Sequence, residues 1–229
     1  YLDGKDLHSI TASQIHQMSL EDLLALPKAE YKSKRNDGKP ANFGWVYKSS
    51  VDGYMEFAKN SYGINLTKDD ALRHKNAIFS SYPKIQDWHD DIEYEATRDG
   101  YVRTLFGRKR RLVNIQLPTG GKQAADVRAA INSPIQGTGG EYTIFSAAIL
   151  ENRLPKGVTF FNTVHDSLFF YVPKDKLKRT IPIIVEACEN APMCDYFLID
   201  QQPVPMKIDV EISDKSWGDM EEMDIKEFT

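Results

Sequence analysis

The chain of 229 residues is 41% hydrophobic and 27% charged, which is typical of a soluble globular protein with one large domain or two small ones. No apolar run approaches the roughly 20 residues that span a bilayer, and the N-terminus lacks the pattern of a signal peptide, so we expect a cytoplasmic setting. The net charge of −4 argues against a protein that coats nucleic acid non-specifically, and the two cysteines fit neither a metal-binding spacing nor a disulfide framework.

Positive charge is nevertheless concentrated in two short segments. The first segment contains Lys28, Lys32, Lys34, Arg35 and Lys39. The second segment contains Arg98, Arg103, Arg108, Lys109, Arg110 and Arg111. Local stripes of cations can bind phosphate even when the average charge of a protein is unfavourable. Both segments therefore indicate where phosphate groups would bind.

The first segment leads into a four-residue repeat that ends in two aromatic residues. The repeat consists of Arg35, Lys39, Phe43 and Tyr47, so one face of a helix would carry two cations followed by two rings. Cations attract phosphate and flat rings stack on a base, and a nucleoside triphosphate has both parts. The alternative interpretation is an ordinary amphipathic helix with solvated charges.

Pro40 constrains where this helix begins. Since the first turn of a helix has no internal N–H bond to lose, proline fits best there, and we expect the helix to begin near Asp37. The phosphate site would then lie at a helix N-terminus, where unpaired N–H groups and the helix dipole favour negative charge.

Two helices and a short β excursion are predicted next. Thr67 and Asp70 have the spacing of a capping box that opens the first helix, and the second helix stops at Gly100. The segment after Gly100 has the pattern of β structure that turns at Gly107. This turn would hold four basic residues on an exposed tip: Arg108, Lys109, Arg110 and Arg111.

The next helical segment, residues 123–150, carries polar groups at four-residue steps. Arg128, Asn132 and Gln136 would project from one side of a helix, and guanidinium and amide groups of this kind read sugar edges, base edges and phosphate oxygens. A solvated helix face is the alternative interpretation. Pro134 lies within the series and predicts a break or a kink.

A β-hairpin follows, with a carboxylate at its turn. Residues 158–164 and 168–172 are both strand-like, and Asp166 lies between them. Asp166 could bind a metal ion or could only shape the turn, and His165 could be an acid, a base, a ligand or a structural histidine. The fold class is therefore α+β, with a helical half of about residues 1–140 before an α+β half.

Three motifs occur in a fixed order along this chain. They are Arg-xxx-Lys-xxx-Phe-Gly-xx-Tyr at 35–47, Arg-Ala-Ala-Ile-Asn-Ser-Pro-Ile-Gln-Gly-Thr at 128–138, and Val-His-Asp at 164–166. In this order they closely resemble the family A, DNA polymerase I-like, DNA polymerases. Residues 5–12, 100–111 and 216–218 are also similar to segments of that family, so the resemblance covers essentially residues 1–220.

The resemblance implies a right-hand polymerase fold. Residues 1–140 would be the fingers, and residues 141–229 would be the C-terminal part of an antiparallel-sheet palm. The implied activity is DNA-directed DNA synthesis, in which dNTPs are added to the primer 3′ end of primer-template DNA with two Mg²⁺ ions. The expected setting is then the cytoplasm of a bacterial or phage-infected cell.

The resemblance also implies roles for the residues of the three motifs. His8, Arg35 and Lys39 would hold the incoming triphosphate, Phe43 would stack near its sugar and base, and Tyr47 would guard the template position.

The later motifs would contact DNA and metal. Arg128, Asn132 and Gln136 would line the primer-template minor groove and the nascent pair, and the basic tip at residues 108–111 would contact DNA. Asp166 would be one of two metal-binding aspartates, with His165 beside the primer terminus, so the catalytic set would be Asp166, His165 and Lys39.

The family's other metal-binding aspartate belongs to an Asp-Tyr-Ser-type motif that precedes the segment beginning here at Tyr1. We therefore expect either a fragment of a longer chain or one subunit of a split, phage-like polymerase, inactive alone, whose partner polypeptide brings the thumb and the missing carboxylate. Two further departures are Ser167, where the family commonly has an acidic residue, and Lys48, which replaces a common glycine and adds a cation where DNA could lie.

Two alternative functions follow from the same sequence. A single-subunit RNA polymerase has the same general right-hand fold, but its fingers helix lacks the Phe-Gly pair found here at Phe43 and Gly44. A non-catalytic DNA-binding or assembly subunit of a polymerase would retain the fold, and Ser167 and the missing aspartate are the features that favour it.

Overall fold

The computed structural model describes residues 6–197 and 206–227. The chain forms two compact units, one ending at Ile135 and the other beginning at Gln136. This division lies a few residues before the boundary predicted at residue 140. The assignment of the two units as fingers and palm stays a prediction.

From Asp6 onward, the regular structure of the N-terminal unit is helical apart from one small hairpin. Its helices and strands, in chain order, are α1 (Leu7–Ile15), α2 (Leu20–Ala25), α3 (Lys28–Val46), α4 (Val51–Tyr62), α5 (Lys68–Ser81), α6 (Lys84–Asp99), β1 (Tyr101–Arg103), β2 (Lys109–Arg111) and the first part of α7 (Gly121–Glu151). The predicted capping box is present at the start of α5, where Thr67 and Asp70 bond reciprocally.

Helix α3 begins nine residues earlier than predicted, at Lys28 rather than near Asp37. Pro27 occupies the position before the first turn, where its fixed φ angle suits a helix start. Pro40 lies inside α3 and is buried, so the helix tolerates one missing backbone hydrogen bond there. The expectation of a helix start at Asp37 was wrong because Pro27, not Pro40, marks the beginning.

Two apolar clusters form the core of this unit. One joins α1, α3, α4 and α5, and its buried members are Ile15, Ala41, Trp45, Tyr54, Ala71 and Ile78. The other lies among α6, the hairpin, the following loop and α7, and its buried members are Ala96, Val102, Leu112, Ile115, Val127, Ala130 and Ile131. Tyr47, which directly follows α3, packs against the second cluster.

Strands β1 and β2 pair antiparallel, with Tyr101 opposite Arg111 and Arg103 opposite Lys109. Gly107 turns the chain between them with a φ angle of +92°, which an L side chain rarely adopts. The predicted turn at Gly107 is therefore present.

A break or a kink was predicted at Pro134; helix α7 continues through this residue, so the break is absent. Its 31 residues extend across the division between the two units. Among the residues that the structure describes, no helix is long and apolar enough to cross a membrane.

In the described residues of the C-terminal unit, the rest of α7 is followed by two antiparallel hairpins. Its other elements are β3 (Thr159–Val164), β4 (Ser167–Tyr171), α8 (Leu177–Glu189), α9 (Met193–Tyr196), β5 (Val210–Ile212) and β6 (Glu221–Met223). Short 3₁₀ segments lie at Lys174–Lys176, Trp217–Asp219 and Ile225–Glu227. The α+β fold class, with helices followed by antiparallel strands, is confirmed.

Candidate functional site

A cluster of two cations and two rings lies where α1 packs on α3. The rings of His8 and Phe43 have centroids 6.1 Å apart, and Arg35 and Lys39 both act electrostatically on the His8 imidazole. His8, Arg35 and Lys39 are half-buried, whereas Phe43 is 46% exposed. The structure thus brings together four of the five residues predicted to bind a nucleotide, and we call these four the α1–α3 cluster.

Arg35 in this cluster is already paired. Its guanidinium donates to both carboxylate oxygens of Asp6, at 2.7 and 3.0 Å. Asp6 also caps α1 by accepting from the Ser9 N–H at 3.0 Å. Burial of Asp6 opposes its ionisation, but the hydrogen bonds from Arg35 and Ser9 outweigh burial and hold the pKa of Asp6 well below its usual range. Asp6 therefore keeps its charge at neutral pH and fixes the direction of the Arg35 side chain.

Lys39 differs from Arg35 in this respect. Within the described ranges Lys39 forms no ion pair. Because α3 begins at Lys28, both cations lie in the middle of the helix rather than at its N-terminus. The expectation that the helix dipole attracts phosphate to this site is therefore wrong, since the effect of the dipole falls off within the first turn of a helix. Any anion bound here would be held by side chains.

Tyr47, the fifth predicted residue, directly follows the last residue of α3 and packs against the apolar cluster among α6, the hairpin and α7. The same end of α3 is held by His89, whose Nε2–H donates to the Val46 carbonyl at 2.7 Å. This hydrogen bond connects the C-terminal end of α3 to α6.

Lys48, the residue that replaces a common glycine, forms two ion pairs with α6. Its Nζ lies 2.5 Å from a carboxylate oxygen of Glu93 and 3.9 Å from one of Asp90, both on α6. The residue adopts a φ angle of +55°, a left-handed conformation that explains why glycine suits this position. The charge of Lys48 is therefore paired with carboxylates of α6.

The residues predicted to contact DNA are exposed. Arg128, Asn132 and Gln136 all lie on α7 at four-residue steps; the first two belong to the N-terminal unit and Gln136 to the C-terminal unit. On the β1–β2 hairpin, Lys109 Nζ lies 3.8 Å from the centroid of the Tyr101 ring, a cation–π contact. The four basic residues that were predicted at the tip of that hairpin are all exposed: Arg108, Lys109, Arg110 and Arg111.

The predicted metal ligand lies at the tip of the β3–β4 hairpin. Val164 pairs with Ser167, so His165 and Asp166 form a two-residue turn, and both are exposed. His165 has a φ angle of +56°, the sign that a tight two-residue hairpin favours at its first loop position. Exposure removes the desolvation cost of the Asp166 carboxylate, so its charge needs no buried partner.

The sequence interpretation missed residues that support the α1–α3 cluster. Asp6 holds Arg35, and Asn42 lies 2.9 Å from Nδ1 of His8. Gly38 lets α1 approach α3, because a Cβ at Gly38 would lie 2.3 Å from the His8 carbonyl oxygen. Asp6 had one signal, the Asp-x-x-Ser spacing of a helix N-cap; the other contacts join residues far apart in sequence.

Comparison with known proteins decides the family. The model of DNA polymerase family A matches residues 1–219 of this chain. The chain belongs to DNA polymerase family A. This confirms the resemblance drawn from the three motifs.

Relatives of this family A chain occur in phage and bacteria. It is 28% identical over 230 residues to a DNA polymerase of Bacillus phage SP01, covering 99% of this chain and 24% of the relative. It is 31% identical over 193 residues to DNA polymerase I of Geobacillus stearothermophilus, covering 82% of this chain and 20% of the relative. The family A chain thus spans about a fifth to a quarter of the length of these relatives.

The fold of this family A chain is similar to a solved polymerase structure. That structure is the POL domain of Pol1 from M. smegmatis in complex with DNA primer-template and dNTP. The TM-score is 0.67 at 25% sequence identity, and the match covers 82% of this chain and 32% of that chain.

Proposed function

We propose that this chain is the nucleotide-binding part of a DNA-directed DNA polymerase and supplies one of its metal ligands. The observation that carries the proposal is the α1–α3 cluster, in which the rings of His8 and Phe43 lie 6.1 Å apart and the cations Arg35 and Lys39 act electrostatically on His8. Membership of family A supports it, and so does the likeness to a polymerase domain that is complexed with primer-template and dNTP.

The incoming triphosphate would bind to three side chains of the cluster. Lys39 would contact phosphate oxygens as a point charge, while Arg35, oriented by Asp6, would present its guanidinium to the same anion. His8 would donate one further hydrogen bond. The exposed Phe43 ring would stack near the sugar and base of the nucleotide.

Primer-template DNA would bind to the exposed polar groups of the chain. Arg128, Asn132 and Gln136 would contact the minor groove, and the basic β1–β2 tip would contact phosphates. Tyr47 would lie at the template position at the end of α3.

Asp166 suits a magnesium ion as one ligand of a larger set. It is an exposed carboxylate, and Mg²⁺ is bound in such sites by one or two carboxylates together with substrate phosphates. Within residues 6–197 and 206–227, no group of three or more acidic, histidine or cysteine side chains could hold a metal ion. We propose that at least one further carboxylate ligand comes from outside these residues. When bound, Mg²⁺ supplies charge stabilisation at the attacking oxygen and the triphosphate.

The proposal assigns the fingers, the palm and the thumb of the polymerase to different polypeptide segments. The N-terminal unit would act as fingers and the C-terminal unit as the second part of the palm. A segment outside these 229 residues, in the same chain or in a second polypeptide, would carry the thumb and the other metal-binding aspartate. The short span of this chain relative to its relatives supports this.

Primer extension tests the proposal. We expect the purified chain to extend no primer with Mg²⁺ or Mn²⁺, and to do so when mixed with a polypeptide that carries the thumb and an Asp-Tyr-Ser-type motif. Extension by the chain alone would contradict the missing-aspartate proposal. A mixture that binds primer-template but never extends it would instead favour a non-catalytic DNA-binding subunit.

A further inference from the structure

A chain of hydrogen bonds runs from the interior of α1 to the imidazole of His8. Thr11 Oγ1 lies 2.7 Å from Asn42 Oδ1, and Asn42 Nδ2 lies 2.9 Å from His8 Nδ1. Thr11 is only 1% exposed, whereas His8 is half-buried. Asn42, on α3 between Lys39 and the Phe43 ring, thus connects a buried hydroxyl to the histidine of the α1–α3 cluster.

The chemistry of these groups decides which atoms donate. An amide nitrogen only donates, so His8 Nδ1 accepts and carries no proton in this arrangement. If the Asn42 amide were reversed, the Thr11 hydroxyl would receive a hydrogen bond and would need another acceptor for its own proton. Among the described residues Thr11 has no such acceptor, and a buried unsatisfied group of this kind is costly. The observed direction therefore places the single imidazole proton on Nε2.

The charges around His8 keep the ring neutral. Burial lowers the pKa of His8; Asp6, before α1, raises it, and Arg35 and Lys39, both on α3, lower it. The pKa is lower than usual on balance. At neutral pH the imidazole therefore carries one N–H, and the position of that N–H depends on the partner of Nδ1.

We infer that Asn42, oriented by Thr11, is a positioning residue that holds His8 in the Nε2–H tautomer, so that His8 donates to an oxygen of the bound triphosphate. The other tautomer would direct a lone pair from Nε2 towards the anion. The inference rests on the proposed function, in which His8 and Lys39 bind triphosphate. In this inference Asn42 would act on the triphosphate only through the imidazole, as a ring partner of a functional histidine does.

Nitrogen NMR of the full chain tests the tautomer directly. The five histidines are labelled with ¹⁵N, and the signals of His8 are those lost in His8→Gln. Above the pKa of His8, we expect the unsubstituted chain and Thr11→Ser to show a proton on Nε2 and none on Nδ1. Thr11→Val keeps the shape of the side chain but removes its hydroxyl, so we expect a mixture of both tautomers. Circular dichroism checks that each variant is folded.

Asn42→Asp gives a second test that does not depend on Thr11→Val being folded. A carboxylate accepts where the amide donated, so the neutral ring should move its proton to Nδ1 and the pKa of His8 should rise by about one unit or more. A proton on Nδ1 in the unsubstituted chain would overturn the inference. Identical spectra for Thr11→Val and Thr11→Ser, or an unchanged His8 spectrum in Asn42→Asp, would also overturn it.

Titration with inorganic tripolyphosphate separates the inference from the proposed function. We expect tripolyphosphate to shift the His8 Nε2–H signal in the unsubstituted chain and in Thr11→Ser, and to bind about three- to tenfold more weakly to Thr11→Val. If the tautomer is as inferred but tripolyphosphate leaves the His8 signals unchanged, the hydrogen-bond chain stands and the triphosphate site is wrong.

Discussion

Replacing Gly38 with alanine should separate α1 from α3 and destabilise the N-terminal unit. An ideal Cβ at this position lies 2.3 Å from the His8 carbonyl oxygen and 3.2 Å from the Ala12 nitrogen. The first distance is about 1 Å shorter than an ordinary van der Waals contact. Both neighbours are backbone atoms of α1, which cannot rotate away as a side chain can, so the helices must move apart.

The expected magnitude combines two opposing effects. Overpacking of this kind costs about 1–3 kcal/mol or more, and alanine in place of glycine within a helix gains up to about 1 kcal/mol. The free energy of unfolding should therefore fall by about 1–2 kcal/mol. Gly140→Ala is the matched control, because Gly140 lies within α7 and its Cβ would meet nothing within 4 Å. That control should gain up to about 1 kcal/mol.

Urea denaturation followed by circular dichroism measures both variants. We expect Gly38→Ala to unfold at lower urea than the unsubstituted chain and Gly140→Ala at the same or higher urea. Gly38→Ala should also weaken tripolyphosphate binding, because the shift moves His8 away from Lys39. Equal stabilisation by both substitutions would refute the close approach of α1 and α3.

Three further predictions concern the cluster, the metal ligand and the cap of α1. In a complete polymerase, Lys39→Ala should raise the apparent KM for all four dNTPs alike, since the phosphates are common to them. The control is Lys32→Ala at an exposed position of the same helix, which should leave the KM unchanged. An altered preference among the four bases in Lys39→Ala would contradict the phosphate role. Asp166→Asn should lower nucleotide incorporation by several orders of magnitude while primer-template binding persists. The control is Asp175→Asn at an exposed position, which should leave both incorporation and primer-template binding unchanged. Because the folded-state pKa of Asp6 is lowered, its stabilising contribution is present above the unfolded pKa of about 3.9 and is lost as the pH falls below it. Urea denaturation between pH 3 and 7 should therefore show a smaller loss of stability at low pH for Asp6→Asn, and an unchanged pH dependence would show that the Asp6 carboxylate is not the group responsible.

Much of the site could be predicted from sequence because it depends on local periodicity. Arg35, Lys39 and Phe43 share one face of α3 because residues four apart nearly coincide around a helix. The capping box at Thr67 and the turn at Asp166 likewise depend only on neighbouring residues. The order of the three motifs was sufficient to indicate the family that the comparisons show.

The start of α3 is a case where local rules were ambiguous. Two prolines lie in the segment, and either could mark a first turn. The structure resolves this in favour of Pro27, because Pro40 is buried in a core where packing compensates for the missing hydrogen bond. The tertiary structure therefore has Arg35 and Lys39 in the middle of a helix and not, as predicted from the sequence, at its N-terminal end.

The sequence alone determined which chemical groups α3 displays on one face, and the tertiary structure decided which partners those groups meet. Asp6 and Arg35 are 29 residues apart, His8 and Asn42 are 34 apart, and Lys48 and Glu93 are 45 apart. No periodicity connects such pairs. They form because helices pack at distances set by their side chains, as at Gly38, and only that packing places a carboxylate, an amide or an imidazole within hydrogen-bonding distance.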